Sequence, residues 1–130
     1  MKPPVKEGVD KAEEDWQAAH RLSRGAKPLY NSVCFHSQQC AEKYLKAYLE
    51  EQGRGIPRTH DLIALLNQIL PELPELLLIK NEMESLTAYA VSFRYPGDQA
   101  SPEQARQARK TAARVRETIR MKLRLSPNHK

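Results

Sequence analysis

Between about Asn31 and Gln52 the apolar residues keep a helical rhythm. At 100° per residue, Cys34, Cys40, Ala41, Tyr44, Leu45, Ala47, Tyr48 and Leu49 fill an arc of roughly 200°. No single neighbour covers an arc that wide, so this segment is expected at the centre of the fold. Its other side carries His36, Gln39, Glu42, Lys43, Lys46 and Glu50, and Gly53 fits the C-terminal cap. Composition agrees: Leu occurs 15 times and Ala 14, against 5 Val and 5 Ile, so helix formers outweigh β-branched residues.

Four further helical segments follow from the same periodicity. From about Val9 to Arg24, the residues Val9, Ala12, Trp16 and Ala19 share one face, and Asp10 with Glu13 reads as a capping box. Gly25 and Pro28 punctuate the chain after it. After Pro57, Thr59 is placed to cap a short helix over about His60 to Leu70, built on Leu62, Ile63, Leu65, Leu66 and Ile69. Pro71 and Pro74 interrupt, and a longer helix then carries Leu76, Ile79, Met83, Leu86, Ala90 and Phe93, ending before Pro96. Tyr95-Pro96-Gly97-Asp98 reads as a turn. Ser101-Pro102-Glu103-Gln104 opens the last helix, with Ser as cap, Pro first and Gln three residues on. That helix is expected to run to about Leu125 on Ala105, Ala108, Ala112, Val115, Ile119 and Leu123. The expected fold is all-α: one domain, an up-and-down bundle of four to five helices, ordered over about residues 9–125 with loose ends.

Several classes fall away. No run of apolar residues is long enough to span a bilayer, and no apolar stretch follows Met1-Lys2-Pro3-Pro4 as in a secretory signal. A soluble cytoplasmic protein is expected. On one helix Cys34 and Cys40 face different ways, which rules out a disulfide and leaves two buried thiols. His36 and Cys40 form half of a metal site, but no second pair completes it, so neither metal nor cofactor is expected.

The net charge of +5 is unevenly placed. Segment 101–125 holds eight basic residues and two acids, +6, so the remainder sums to −1. Arg109, Arg116 and Arg120 border one edge of its narrow apolar stripe, with Arg106, Lys110, Arg114 and Arg124 beyond; Gln107, Thr111 and Thr118 take the other flank. Such a stripe is either a phosphate-binding surface or a solvated face that pairs with nearby acids. The five tyrosines and two phenylalanines mostly fit the core pattern, so no exposed stacking platform of the single-strand-binding kind is expected.

Three pieces of sequence resemble one family. Phe35-His36-Ser37-Gln38-Gln39-Cys40-Ala41-Glu42-Lys43-Tyr44-Leu45-Lys46-Ala47 resembles the F-x-A-Q-Q-A-A-E-K-x-L-K-A helix of HEPN-domain proteins. Pro57-Arg58-Thr59-His60-Asp61-Leu62 resembles that family's H-D-L helix start, and Phe93-Arg94-Tyr95-Pro96-Gly97 its R-Y-P-G turn. Order and spacing agree across about Trp16 to Leu123. The resemblance implies a helical bundle, commonly a homodimer, often encoded beside a nucleotidyltransferase-like partner, with some such pairs acting as toxin and antitoxin. Several branches are metal-independent ribonucleases that use an Arg and a His four to six residues apart. Here Tyr95 to Ala100 contain no His after Arg94, and the Arg54–His60 spacing lies before the third helix, the wrong topological place.

Arg94 heads the candidates for a working residue, since its guanidinium sits beside a Pro-Gly turn where an anion can approach. His60 at a helix start is the second; Asp61 beside it serves better as a cap. Arg58 is a loop cation, and His36 with Lys43 lies on the polar edge of the central helix, at a cleft or an interface. His20 near an apolar face reads as structural, and His129 belongs to the loose tail. By resemblance to related pairs, Tyr95 is also a candidate for adenylylation. The expected function is nucleotide or RNA binding alongside a nucleotidyltransferase partner, phosphate being met by Arg94, Tyr95, Arg58, His60, His36, Lys43, Arg109, Arg116 and Arg120. The alternatives are a metal-independent endoribonuclease toxin, with Arg94 and His60 as catalytic candidates, and a non-catalytic dimerisation module.

Overall fold

The computed structural model describes residues 1–93 and 96–127, without the side chain of Ala90. Arg94, Tyr95 and His129 therefore lie outside the described residues, as does the expected packing of Ala90.

The central element is α2, Tyr30–Glu51, and every residue of its predicted apolar arc is buried. It touches all the other long helices. Its end has the expected geometry: Gly53 sits at φ +70°, its N–H bonds to Glu50 O at 3.0 Å, and Arg54 N bonds to Leu49 O at 3.0 Å. These crossed bonds satisfy carbonyls that would otherwise be stranded.

Helix α1, Pro3–Leu22, lies antiparallel to α2 and begins earlier than the sequence predicts. The Asp10–Glu13 capping box does not form. Asp10 instead pairs across one turn with Lys6 at 2.8 Å, and Glu13 is buried. The first turn lacks a side-chain cap, yet it is anything but loose. Val5 is 0% exposed, so long-range burial replaces the local signal.

Short α3, Leu62–Asn67, is capped by Asp61, whose side chain accepts from Ile63 N at 2.9 Å. Thr59, the expected cap, accepts from Asp61 N at 3.0 Å instead and so shapes the approach. The next predicted helix is two-part: a 3₁₀ segment, Pro74–Ile79, leads into α4, Lys80–Ser92. Leu76, Ile79, Met83 and Leu86 all face the core. Gly97 at φ +92° makes the turn that follows, and Asn31 ties the loop to α2 by accepting from Ala100 N at 2.7 Å.

Helix α5, Pro102–Lys122, opens with the capping box its sequence spells out. Ser101 Oγ accepts from Gln104 N at 3.0 Å and Gln104 Oε1 accepts from Ser101 N at 2.8 Å. Ser101→Ala is expected to cost about 1 kcal/mol in a urea melt. The helix stops short of Leu125 because Arg124 turns to φ +58°.

The helices form an up-and-down bundle: α2 runs parallel to α5, and α1 and α4 antiparallel to them. No strand occurs among the described residues. None of their helices is long and apolar enough to cross a membrane. Cys34 and Cys40 are free and buried, and burial pushes the Cys34 thiol up to about 11 and Cys40 further up.

Candidate functional site

Two arginines expected on a phosphate-binding stripe are turned inward. Arg116 and Arg120 are 7% and 5% exposed. Arg116 grips Glu13 with two donors, Nε to Oε2 at 2.7 Å and Nη2 to Oε1 at 2.9 Å, and its guanidinium lies 4.9 Å from the Trp16 ring centre. Tyr44 donates its hydroxyl to the same carboxylate, and Arg120 Nη1 donates to that hydroxyl at 3.0 Å. The remaining donors hold the tail: Arg116 Nη1 reaches Pro127 O at 3.1 Å and Arg120 Nε reaches Ser126 O at 2.5 Å. Residues 126–127 are therefore pinned, where the sequence suggests a loose end. A buried carboxylate demands paired donors, and this demand takes both arginines out of the phosphate-binding stripe.

The other predicted residues are also engaged. Arg109 Nη2 donates to His20 Nδ1 at 2.9 Å. A guanidinium can only donate, so His20 accepts there as a neutral ring. Burial, followed by the charges of Arg24, Arg109 and Arg21, holds its pKa down, in keeping with a structural role. His36 Nδ1 and Lys43 Nζ both meet buried Asp15, at 2.8 and 2.5 Å. His60 bonds through Nδ1 to Glu42 Oε1 at 2.9 Å, while Gln38 and Lys46 hold the same carboxylate. Glu42, expected on the polar side of its helix, is 4% exposed. Arg58 is exposed on its loop.

Burial would raise Glu13, but Arg116 and Tyr44 hydrogen bonds and two guanidinium charges hold it below its ordinary 4.5. Glu42 is likewise lowered against burial, by hydrogen bonds from Gln38, His60 and Lys46. A depressed carboxyl contributes stability that is complete above the unfolded pKa and lost as pH falls through the folded one. Urea midpoints are therefore expected to drop steeply below about pH 4.5, after a smaller decline beginning below about 6.5 from His20. Glu13→Gln should flatten the steep limb. A limb unchanged in that variant would show that the Glu13 carboxylate contributes nothing to it.

An open groove lies between α4 and α5. Its wide part, about 430 Å³, is lined by Leu78, Ile79, Glu82, Gln107, Lys110, Thr111 and Arg114. A narrower part of about 120 Å³ continues past Glu82, Gln107 and Thr111 to Ser85, Tyr89 and Ala108. Lys110 and Arg114 are exposed and make no ion pair among the described residues. Their i, i+4 spacing beside Gln107 and Thr111 is the available sequence signal; the periodicity of α5 points instead to the opposite edge of the stripe. Tyr89, half-buried and packed against the core, also lines the groove. A second hollow of about 320 Å³ beside Pro4, Gly8 and Ala47 includes Lys43 and Lys46, but Asp15 and Glu42 already hold these. His60 is not part of the groove. Leu62 N bonds to Thr87 Oγ1 at 3.1 Å, on the side of α4 away from Glu82 and Tyr89.

A sequence model of the HEPN domain matches residues 5–122, from the first turn of α1 to the end of α5. The chain belongs to the HEPN-domain family. This HEPN bundle resembles the crystal structure of TT1696 from Thermus thermophilus, with a TM-score of 0.78 at 19% identity. The likeness covers 93% of this chain and 99% of that one, and it speaks for the fold alone. No curated protein matches the chain. Among the described residues of the HEPN bundle, no three His, Cys, Asp or Glu side chains are grouped to hold a metal ion.

Proposed function

We propose that this HEPN-domain protein binds a nucleotide or RNA through the α4–α5 groove, as a cytoplasmic homodimer working with a nucleotidyltransferase partner in a toxin–antitoxin type of pair. The observation that carries the binding is that Lys110 and Arg114 stand on an open groove without an ion pair among the described residues, while buried acids occupy Arg116, Arg120 and Lys43. Phosphate affinity draws on cations that remain available. Arg94 and Tyr95, a few residues beyond the end of α4 in the chain, remain candidates for the same ligand. Fluorescence-polarisation titration with labelled RNA and labelled ATP tests the reading. Absence of binding by both at low salt sinks it.

One observation favours a second reading, a metal-independent endoribonuclease. The His60 side chain is 81% exposed while its Nδ1 is fixed on a 6%-exposed Glu42, an arrangement that leaves Nε2 outward for proton transfer. Under that reading, RNA is cut in EDTA and both Arg94→Ala and His60→Ala abolish the cutting.

A further inference from the structure

The groove's two ends differ in chemistry. At the narrow end stands half-buried Tyr89, its ring 5.6 Å from Phe93 at a 32° tilt, with small Ala108 also lining this part. At the wide end stand Lys110 and Arg114. Along α5, six residues separate Ala108 from Arg114, about 9 Å of helix axis. Glu82 lines both parts and so sits between the ends.

We propose that the groove reads one unpaired nucleotide of an RNA strand: base on Tyr89, sugar at Glu82, phosphate at Lys110 and Arg114. The inference rests on the RNA-binding reading above and adds to it what the groove selects. An aromatic ring held by a second ring offers a base a pre-ordered face, and stacking on it is indifferent to base identity. A base locked in a duplex cannot reach that face without leaving its stack. Glu82 repels phosphate from the middle of the groove, yet a carboxylate accepts well from a sugar hydroxyl. The 2′-hydroxyl is the donor that RNA has and DNA lacks. Lys110 and Arg114, one turn apart on α5, face a phosphate together. Charge order along the groove therefore matches the order of parts in a nucleotide.

The test uses the whole protein and one labelled oligonucleotide sequence as single-stranded RNA, as RNA annealed to its complement and as single-stranded DNA. Single-stranded RNA is expected to bind at least about tenfold tighter than the duplex. Tyr89→Leu, which keeps an apolar side chain against the core, is expected to lose about tenfold for the single strand and leave duplex affinity alone. Tyr89→Phe should retain wild-type affinity, and thermal melts of both variants show that the bundle is intact. Glu82→Gln should narrow the preference for RNA over DNA. Equal binding of single strand and duplex, or a Tyr89→Leu variant that binds like wild type, overturns the proposal while leaving phosphate binding standing. Equal competition by polyglutamate also overturns it and marks the groove as a dock for an acidic protein segment. Failure of the wild type to bind any of the oligonucleotides sinks the RNA-binding reading itself.

Discussion

Glu13→Ala is expected to destabilise the bundle by about 3–5 kcal/mol, the cost of leaving buried charge without its partner. Glu13 is 1% exposed, and Arg116 and Arg120 are nearly as buried. Deleting the carboxylate leaves two buried guanidiniums without their countercharge, and it removes the acceptor of the Tyr44 hydroxyl. Replacing both partners is another matter. Glu13→Gln combined with Arg116→Met removes charge from both sides, and the pair should show a coupling energy above about 1 kcal/mol in a double-mutant cycle. Urea denaturation of the four proteins measures it. A Glu13→Ala cost under about 1 kcal/mol would mean that water replaces the carboxylate and that the interior there is wet.

The second large effect is on binding. Reversing both groove cations, Lys110→Glu with Arg114→Glu, is expected to weaken RNA affinity about 100-fold at low salt, since like charges then face phosphate. The slope of log affinity against log salt should also shrink, by about 0.7 for each phosphate of a single strand that is no longer neutralised. Thermal stability should hold, because both residues are exposed and make no ion pair among the described residues. The same reversal at exposed Arg106, already paired with Glu103, gives the comparison for a cation outside the groove. Affinity unaffected by the double reversal would move the ligand off the groove.

How much of this is legible in the sequence depends on how local the cause is. The α5 cap is readable because Ser101 and Gln104 satisfy each other within four residues. The arc on α2 is readable because burial on all sides leaves a wide apolar sector. The start of α1 is faint, since Val5 adds a single four-residue step before Val9, no side chain caps the first turn, and the burial of Val5 comes from packing against other helices. Arg116 and Arg120 flank a narrow stripe, where a cation ordinarily meets water. Their inward turn depends on an acid on another helix, which no spacing rule on α5 announces. The groove is hidden for a related reason. Lys110 and Arg114 differ from the inward arginines in lining the groove while exposed and without an ion-pair partner among the described residues, and that is a fact of tertiary structure.

The bond between Glu13 and Arg116 joins residues 103 positions apart. The chain must close almost entirely before that contact exists, whereas α1 meets α2 across a short connection. A link of this kind is expected to form late in assembly. It is expected to act as a latch: in a chevron, Glu13→Ala should speed unfolding far more than it slows folding.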